Sequence, residues 1–321
     1  MRHFALWISA GLAITAIAWP AHAEKLTVTQ YGRVLATLPW AVALEKGMFK
    51  EAGLDIDGIT AGSGGGTSVR NVLASGLPFG DVSTSAALAA ERAGVDIKIV
   101  ALTSDHIGEL AWVSKPESGI KSIKDLAGKT IAFTAPRSVT EMIVRTALER
   151  EGLTGKVEAV ALGGLGPALT ALSQDAVYAA PLNDPALTTD TKKYRLLFYS
   201  YQYFPKFGWE VCVTTSKFAK EHPETVRGLI AVHRKAVDFM YANRDETAAI
   251  YAKVWNISLD EAKLLLPKYY DWGHWARGDF SKEGLQAVEK GLLTVGEITA
   301  PVDWSKIIDQ EYLPDELKRP L

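Results

Sequence analysis

One cysteine, Cys212, is all that 321 residues contain, so no disulfide can form within the chain. A basic excess is missing as well. Lys and Arg number 35 against 37 Asp and Glu, a formal net charge of −2 that offers no basic surface for nucleic acid. Beyond the N-terminal run there is no stretch apolar and long enough to span a bilayer. His222, His233 and His274 lack the His-x-x-x-His spacing of a metal pair. Stability must therefore come from burial, which a chain of about 300 residues supplies most naturally as two lobes.

The N-terminus reads MRHFALWISAGLAITAIAWPAHAEK: basic residues, an apolar run from Phe4 to Trp19, then Ala21-x-Ala23. That is the pattern of a secretory signal, expected at residues 1–23, with a mature chain from Glu24 in the periplasm. A short membrane anchor is the competing reading, and Pro20 with the small-residue site argues against it. No cysteine stands at that junction to carry a lipid.

Short β-like and helix-like runs then alternate: KLTVTQY, LPWAVALEKGMFKEAG, LDIDGIT, VRNVLASG, FGDVST, AALAAERAG and VDIKIVALT. Such alternation indicates an open α/β sheet with parallel crossovers. A second series begins at KSIKDLAGKTIAF and runs through SVTEMIVRTALEREG, KVEAVAL, GPALTALSQ, AVYAAPL and YRLLFYS. The two series match each other in order and in residues, with Arg33 against Arg137, Gly64 against Gly163 and Gly65 against Gly164. Two similar lobes are expected, one made of 24–112 and 208–321, the other of 113–207. The chain from Thr214 onward reads as helices without intervening strands, including SKIIDQEYL, with Ser216, Ser258 and Ser281 as N-caps.

The stretch GSGGGTSV, from Gly62 to Val69, invites a phosphate-loop reading that its letters refuse. No Gly-Lys-Ser/Thr closes it, and the third glycine of a dinucleotide pattern falls on Thr67 or Val69. A ligand-free surface turn is the plain alternative. The counterpart glycines in ALGGLGPAL favour a shared cleft in which glycines keep side chains away, so that Ser63, Thr67 and backbone N–H groups reach a solute.

YGRVLATLPWAVALEKGMFKEAGLDI, the GSGGGTS loop, LASGLPFGDVSTSAAL, IKSIKDLAGKTIAF and ALSQDAVYAAPLNDP together resemble solute-binding proteins of ABC importers of the nitrate, taurine and alkanesulfonate type, a group that includes binders of thiamine-precursor pyrimidines. The resemblance spans nearly the whole mature chain. It implies a type II-like periplasmic binding protein fold, with two doubly wound α/β lobes joined by two crossovers, C-terminal helices on the first lobe, and a ligand trapped by hinge closure. It also implies an ABC permease as partner, with no cofactor, no metal and a monomeric receptor. Two departures stand out. The turn Asn183-Asp184-Pro185 replaces the family's frequent Glu-Pro, and the cysteine-rich segment and product-forming histidine of the pyrimidine-synthesising relatives are missing.

In open α/β sheets ligands bind beyond the carboxyl ends of the strands. That rule selects Arg33, Thr37, Ser63, Gly64, Gly65, Thr67, Ser83, Thr84, Ser85, Thr134, Arg137, Ser138, Thr140, Asn183 and Asp184, mostly small and neutral donors near helix starts. Each hydroxyl taken alone is as well explained as a helix cap. Arg33 and Arg137 are candidate clamps for a carboxylate or sulfonate, Arg137 the better placed among hydroxyls, with an exposed or ion-paired arginine as the alternative. Trp40 and Trp209 are candidate aromatic walls, with Tyr31, Trp112 and Tyr178 nearby, while Trp255, Trp272, Trp275 and Trp304 read as core. Glu210 or Asp184 is placed to receive an amino group or to pair with Arg137 in the empty state.

Catalysis finds little support: Ser63 has no recognisable triad partners, and Ala61 breaks the Gly-x-Ser-x-Gly elbow. His106 reads as a structural histidine before a metal ligand. The expected function is a periplasmic receptor for a small organic solute, a sulfonate or carboxylate that carries a ring or an alkyl chain. Alternatives are a binder of a neutral heterocycle, an exported or pyrimidine-biosynthesis enzyme, and a sensor's periplasmic partner.

Overall fold

The computed structural model describes residues 23–321, and the expected signal lies outside the described residues apart from Ala23. The first series folds as β1 (Glu24–Thr29), α1 (Leu38–Glu45), α2 (Met48–Glu51), β2 (Ile56–Gly62), α3 (Gly65–Ala74), β3 (Phe79–Ser83), α4 (Thr84–Arg92) and β4 (Lys98–Ser104). The second gives β5 (Leu110–Ser114), β6 (Thr130–Phe133), α5 (Val139–Arg150), β7 (Glu158–Ala161), α6 (Leu165–Ser173), β8 (Ala180–Asn183), α7 (Ala186–Thr189) and β9 (Arg195–Tyr199). The chain then returns through β10 (Glu210–Thr214), α8 (Ser216–Glu221), α9 (Pro223–Ala242), α10 (Arg244–Trp255), α11 (Leu259–Trp272), β11 (Trp275–Gly278) and α12 (Lys282–Thr294).

The first lobe is a six-stranded sheet in the order β11-β4-β10-β3-β1-β2. β1 runs parallel to β2 and β3, and β10 lies antiparallel between β3 and β4. In the second lobe β5 lies antiparallel between β8 and β9, and β6 pairs parallel with β7. The Ala132 N–H donates to the Ala179 carbonyl (2.8 Å) and the Tyr178 N–H to the Thr130 carbonyl (3.0 Å), joining β6 to β8. Each lobe therefore inserts, among its parallel strands, the strand that has just arrived from the other lobe. An antiparallel insert puts its first residue at the edge where its parallel neighbours end. That residue is Glu210 in the first lobe and Leu110 in the second.

The first crossing is residues 105–109, ahead of the expected boundary after residue 112, because Trp112 belongs to β5 and stacks on Phe198 of β9. All of β5 is buried, so its apolar run is a central strand and not a linker. The second crossing, residues 200–209, is tied to the first: the Phe207 N–H donates to the Asp105 carbonyl (3.2 Å) and Ser200 Oγ to that of Ile107.

Three sequence expectations for the C-terminal region change. A strand, β11, interrupts the helices and pairs with β4. SKIIDQEYL is not an α-helix: its first two residues end a 3-10 turn, Trp304–Lys306, after which Ile308 bridges Ile99 at the sheet edge. The cap of α8 is Thr215, whose Oγ1 accepts from the Phe218 N–H (3.1 Å), and Ser216 is the first helical residue. Ser258 and Ser281 do cap α11 and α12. These helices pack on the first lobe, yet α12 also reaches α5 of the second, where a Cβ at Gly291 would stand 2.9 Å from Met142 Sδ.

Cys212 sits fully buried in β10, and burial pushes its thiol well above the ordinary value. The native protein is therefore expected to resist thiol-specific disulfide reagents and to react only after unfolding. Fast stoichiometric labelling of the folded protein would contradict that burial.

Candidate functional site

A cavity of about 760 Å³ opens between the carboxyl edges of the two sheets. The first lobe supplies Gln30, Ser63, Gly64, Gly65, Arg70, Ser83 and Ser85. Trp209 and Glu210 line it where the chain returns. The second lobe supplies Thr134, Arg137, Ser138, Thr140, Gly163, Gly164 and Asn183. Leu292 of α12 and Glu297 beyond it complete the wall.

Three helix starts face this space without a side-chain cap: α3 after Gly64, α4 after Ser83 and α6 after Gly164. Uncapped starts leave backbone N–H groups at the positive end of the helix dipole, which favours a negatively charged or oxygen-rich group, although in α4 the first of them, that of Thr84, donates to the Trp209 carbonyl (2.9 Å). The glycines of GSGGGTSV divide their work. A Cβ at Gly62 would meet Ser68 Oγ at 2.0 Å, and one at Gly65 would meet Ser83 Oγ at 2.3 Å and Ala86 Cβ at 2.6 Å. Those two allow α3 to pack against its own lobe. Gly64 meets nothing within 4 Å and borders open space. The two glycine caps Gly64 and Gly164 are equivalent in the fold, one residue out of step with the sequence match of Gly64 to Gly163.

Around the start of α5 the hydroxyls form a closed triangle. Thr134 Oγ1 stands 2.7 Å from Thr140 Oγ1 and 3.2 Å from Ser138 Oγ, and the latter two are 2.8 Å apart. Ser138 also caps α5, accepting the Glu141 N–H at 3.2 Å. Arg137 sits beside this triangle at φ 64°, a left-handed conformation that is uncommon for a side-chain-bearing residue. Its N–H donates to Glu141 Oε2 (2.6 Å), while its Nε pairs with Glu297 Oε2 at 3.0 Å across the lobes.

Glu210 occupies the sheet edge between Ser83 of β3 and Ser104 of β4. Its carboxyl is 3 % exposed, and Oε2 has no hydrogen-bond partner. Burial, with the charges of Asp81 and Glu109 behind it, raises its pKa well above the ordinary carboxylate range. Those two neighbours are themselves satisfied. Asp81 accepts Trp40 Nε1 (2.5 Å) and Thr103 Oγ1 (3.1 Å), and Glu109 accepts the N–H groups of Leu35 (3.0 Å) and Ala36 (3.3 Å).

Of the residues selected from sequence, Ser63, Gly64, Gly65, Ser83, Ser85, Thr134, Arg137, Ser138, Thr140, Asn183, Trp209 and Glu210 meet at this cavity. Arg33, Thr37, Trp40, Thr67, Thr84 and Asp184 do not line it. Trp40 is buried under Asp81, and Thr37 Oγ1 donates to the Val34 carbonyl (2.8 Å). Thr84 Oγ1 donates to the Gly208 carbonyl (2.6 Å) because α4 starts by docking on the second crossing. Thr67 faces Arg70, whose Nη2 lies 3.1 Å from its Oγ1. Arg33 is exposed, and only its carbonyl reaches across, accepting from Asn183 Nδ2 at 3.4 Å. Asp184 is committed to an interlobe latch with Lys268 Nζ (2.6 Å) and Tyr269 OH (2.5 Å), not to Arg137. Tyr31 and Trp112 pack into the core, and His106 stacks on Trp272 while its Nδ1 accepts the Gly108 N–H (2.9 Å). Among the described residues no group of three His, Cys, Asp or Glu is placed to hold a metal. Arg70, Leu292 and Glu297 were not selected from sequence. Arg70 follows the glycine loop by one helical turn, which is a usable signal, but nothing local places Glu297, brought in by α12 crossing to α5.

A Bacillus subtilis protein described as a putative aliphatic sulfonates-binding protein is 28 % identical over 304 residues, covering 92 % of this chain and 90 % of that one. Among solved structures, the Escherichia coli periplasmic aliphatic sulphonate binding protein SsuA superposes with a TM-score of 0.73 at 16 % identity, over 89 % of this chain and 92 % of that one. The desulfurization enzyme DSZB superposes with a TM-score of 0.64 at 16 % identity, over 90 % and 97 %. These likenesses establish the two-lobed periplasmic binding protein fold. The family model described as NMT1/THI5 like matches residues 36–247, and the chain belongs to that family.

Proposed function

We propose that this protein is the solute receptor of an ABC importer, closing its two lobes on a small organic anion in the periplasm and presenting it to an inner-membrane permease. The observation that carries the reading is the convergence of three uncapped helix starts, from both lobes, on one interlobe cavity that also holds Arg137 and a hydroxyl triangle. Such a wall offers donors without a neutralising cage of charge, which suits a sulfonate or carboxylate. The apolar remainder, Val34, Val69, Leu73, Leu110, Leu165, Leu292 and Trp209, suits a ring or an alkyl chain. The description of the Bacillus subtilis relative points to the same ligand class. A fold shared with a desulfurization enzyme leaves the chemistry to the site. No histidine, lysine or cysteine lines the cavity among the described residues, so none of the usual histidine or lysine partners of a nucleophile stands beside its serines.

Thermal-shift and calorimetric titration of the chain from Glu24 with aliphatic and aromatic sulfonates, carboxylates, nitrate and pyrimidines tests this. Stabilisation by an organic anion that is recovered unchanged is expected. Conversion of the ligand would make the protein an enzyme, and stabilisation by pyrimidines alone would replace the anion with a neutral heterocycle. Arg137→Ala is expected to weaken the anion about tenfold or more, the worth of one charge-assisted contact, with little effect on melting because the Arg137 side chain is largely exposed. Native affinity in that variant removes Arg137 from the anion site.

A further inference from the structure

Resting on the receptor reading above, we infer that Glu210 is the specificity-determining residue of the cavity: it selects solutes that carry a protonated nitrogen opposite their anionic group. Three other buried acids already have their partners. Asp81 holds Trp40 and Thr103, Glu109 holds two backbone N–H groups, and Asp184 holds Lys268 and Tyr269. Glu210 alone among these has an oxygen without a partner, and Glu210 lines the ligand cavity. A buried acceptor left unpaired costs about 1–3 kcal/mol. A solute that donates to it recovers that cost on binding, whereas an apolar group at the same place leaves it standing.

The topology makes this position rigid. Glu210 starts an antiparallel strand held on both sides by β3 and β4, and its neighbour Trp209 is fixed through its N–H to Ser104. Charges of both signs meet a bound solute from opposite lobes. Arg137 and the start of α6 approach from the second lobe and serve the anionic end, and Glu210 approaches from the first and serves the nitrogen, with Trp209 beside it. The groups that face Glu210 from adjoining elements are Asp81 of β3 and Glu109 of the first crossing, both acids, and Glu297 lies on the cavity wall. Among the described residues no cation neutralises Glu210 from behind. Its protonated form is therefore favoured in the empty cavity, and pairing with an ammonium group favours the carboxylate, so that binding sends the proton to solvent.

Two probes of matched shape separate the possibilities: para-aminomethylbenzenesulfonate and para-ethylbenzenesulfonate, which differ only in an ammonium against a methyl group. Calorimetry in buffers of different protonation enthalpy reads affinity and proton count together. The native protein is expected to favour the amine about tenfold or more, with about one proton released. In Glu210→Gln the preference for the amine over the ethyl probe should fall to about threefold or less and the proton release should vanish. Equal binding of both probes by the native protein overturns the assignment without any variant, and so does an amine preference that survives Glu210→Gln. Failure of both probes together with the wider anion panel overturns the receptor reading beneath it.

Discussion

Gly80→Val is expected to cost about 3 kcal/mol or more of folding stability and, in whatever fraction folds, to weaken solute binding. Gly80 lies in β3 opposite Thr27 of β1. A Cβ there would stand 2.6 Å from the Thr27 carbonyl oxygen and 2.4 Å from Val72 Cγ2 on α3. The carbonyl belongs to a central strand and cannot retreat without breaking the ladder to its neighbours, so the helix must lift. α3 begins at the cavity, behind Gly64, and lifting it moves one of the three helix starts that face the solute. Gly166→Ala is the control, because a Cβ at Gly166 meets nothing within 4 Å and its backbone is helical; that change is expected to be neutral or slightly stabilising. Denaturant midpoints of the two variants decide the matter. A loss under about 1 kcal/mol for Gly80→Val means α3 has room that the fold does not show.

The same glycine explains why the fold was legible. Ala-x-Gly-x-x-x-Gly-Asp, from Ala74 to Asp81, places a helix end, a turn and a strand so close that only glycine fits at the contact. Alternating runs of this kind carry their own geometry, and the parallel strands followed. Which side of a turn faces the cleft is a different kind of information. Ser83, Thr84 and Ser85 read alike in sequence, but α4 docks on the second crossing with Thr84 inward, leaving the other two on the cavity. Trp40 comes one connection after the first strand, as a cleft aromatic should. Its helix, though, is buried from Leu38 to Ala43, and its indole N–H is spent on Asp81. Asp184 looked free because its partners, Lys268 and Tyr269, lie more than eighty residues away. Glu297 was invisible for the same reason. Strand ends are local properties, whereas latches and far walls are made by the C-terminal helices, whose docking no short pattern states.

Between about pH 6.5 and pH 8 the protein is expected to lose roughly 3 kcal/mol of stability, a fall of several degrees in Tm. Three buried acids set the sign. Burial raises Asp81 to about 7 and Glu109 to about 8, and raises Glu210 well above the ordinary carboxylate range. Their stabilising contribution is whole below the unfolded carboxyl values and is lost as pH climbs through the folded ones, because the unfolded chain ionises first. Three buried histidines act in the opposite sense: His106, His233 and His274 are held down to about 3 by burial, so their contribution is lost as pH falls below 6.5. Between about pH 4.5 and pH 6.5 the two sets oppose each other, and stability should be nearly flat. Above 6.5 the histidines are neutral in both states and only the acids remain. The exposed carboxyls held low by their partners, such as Glu51 and Asp315, titrate too far below this window to matter. Melting curves at constant ionic strength across the window test the argument, with carboxyl carbon resonances assigning the titration to Asp81 and Glu109. A Tm that stays level or rises from pH 6.5 to pH 8.5 would mean that these acids are already ionised in the folded protein. The proton that Glu210 is proposed to release on binding would then not be there.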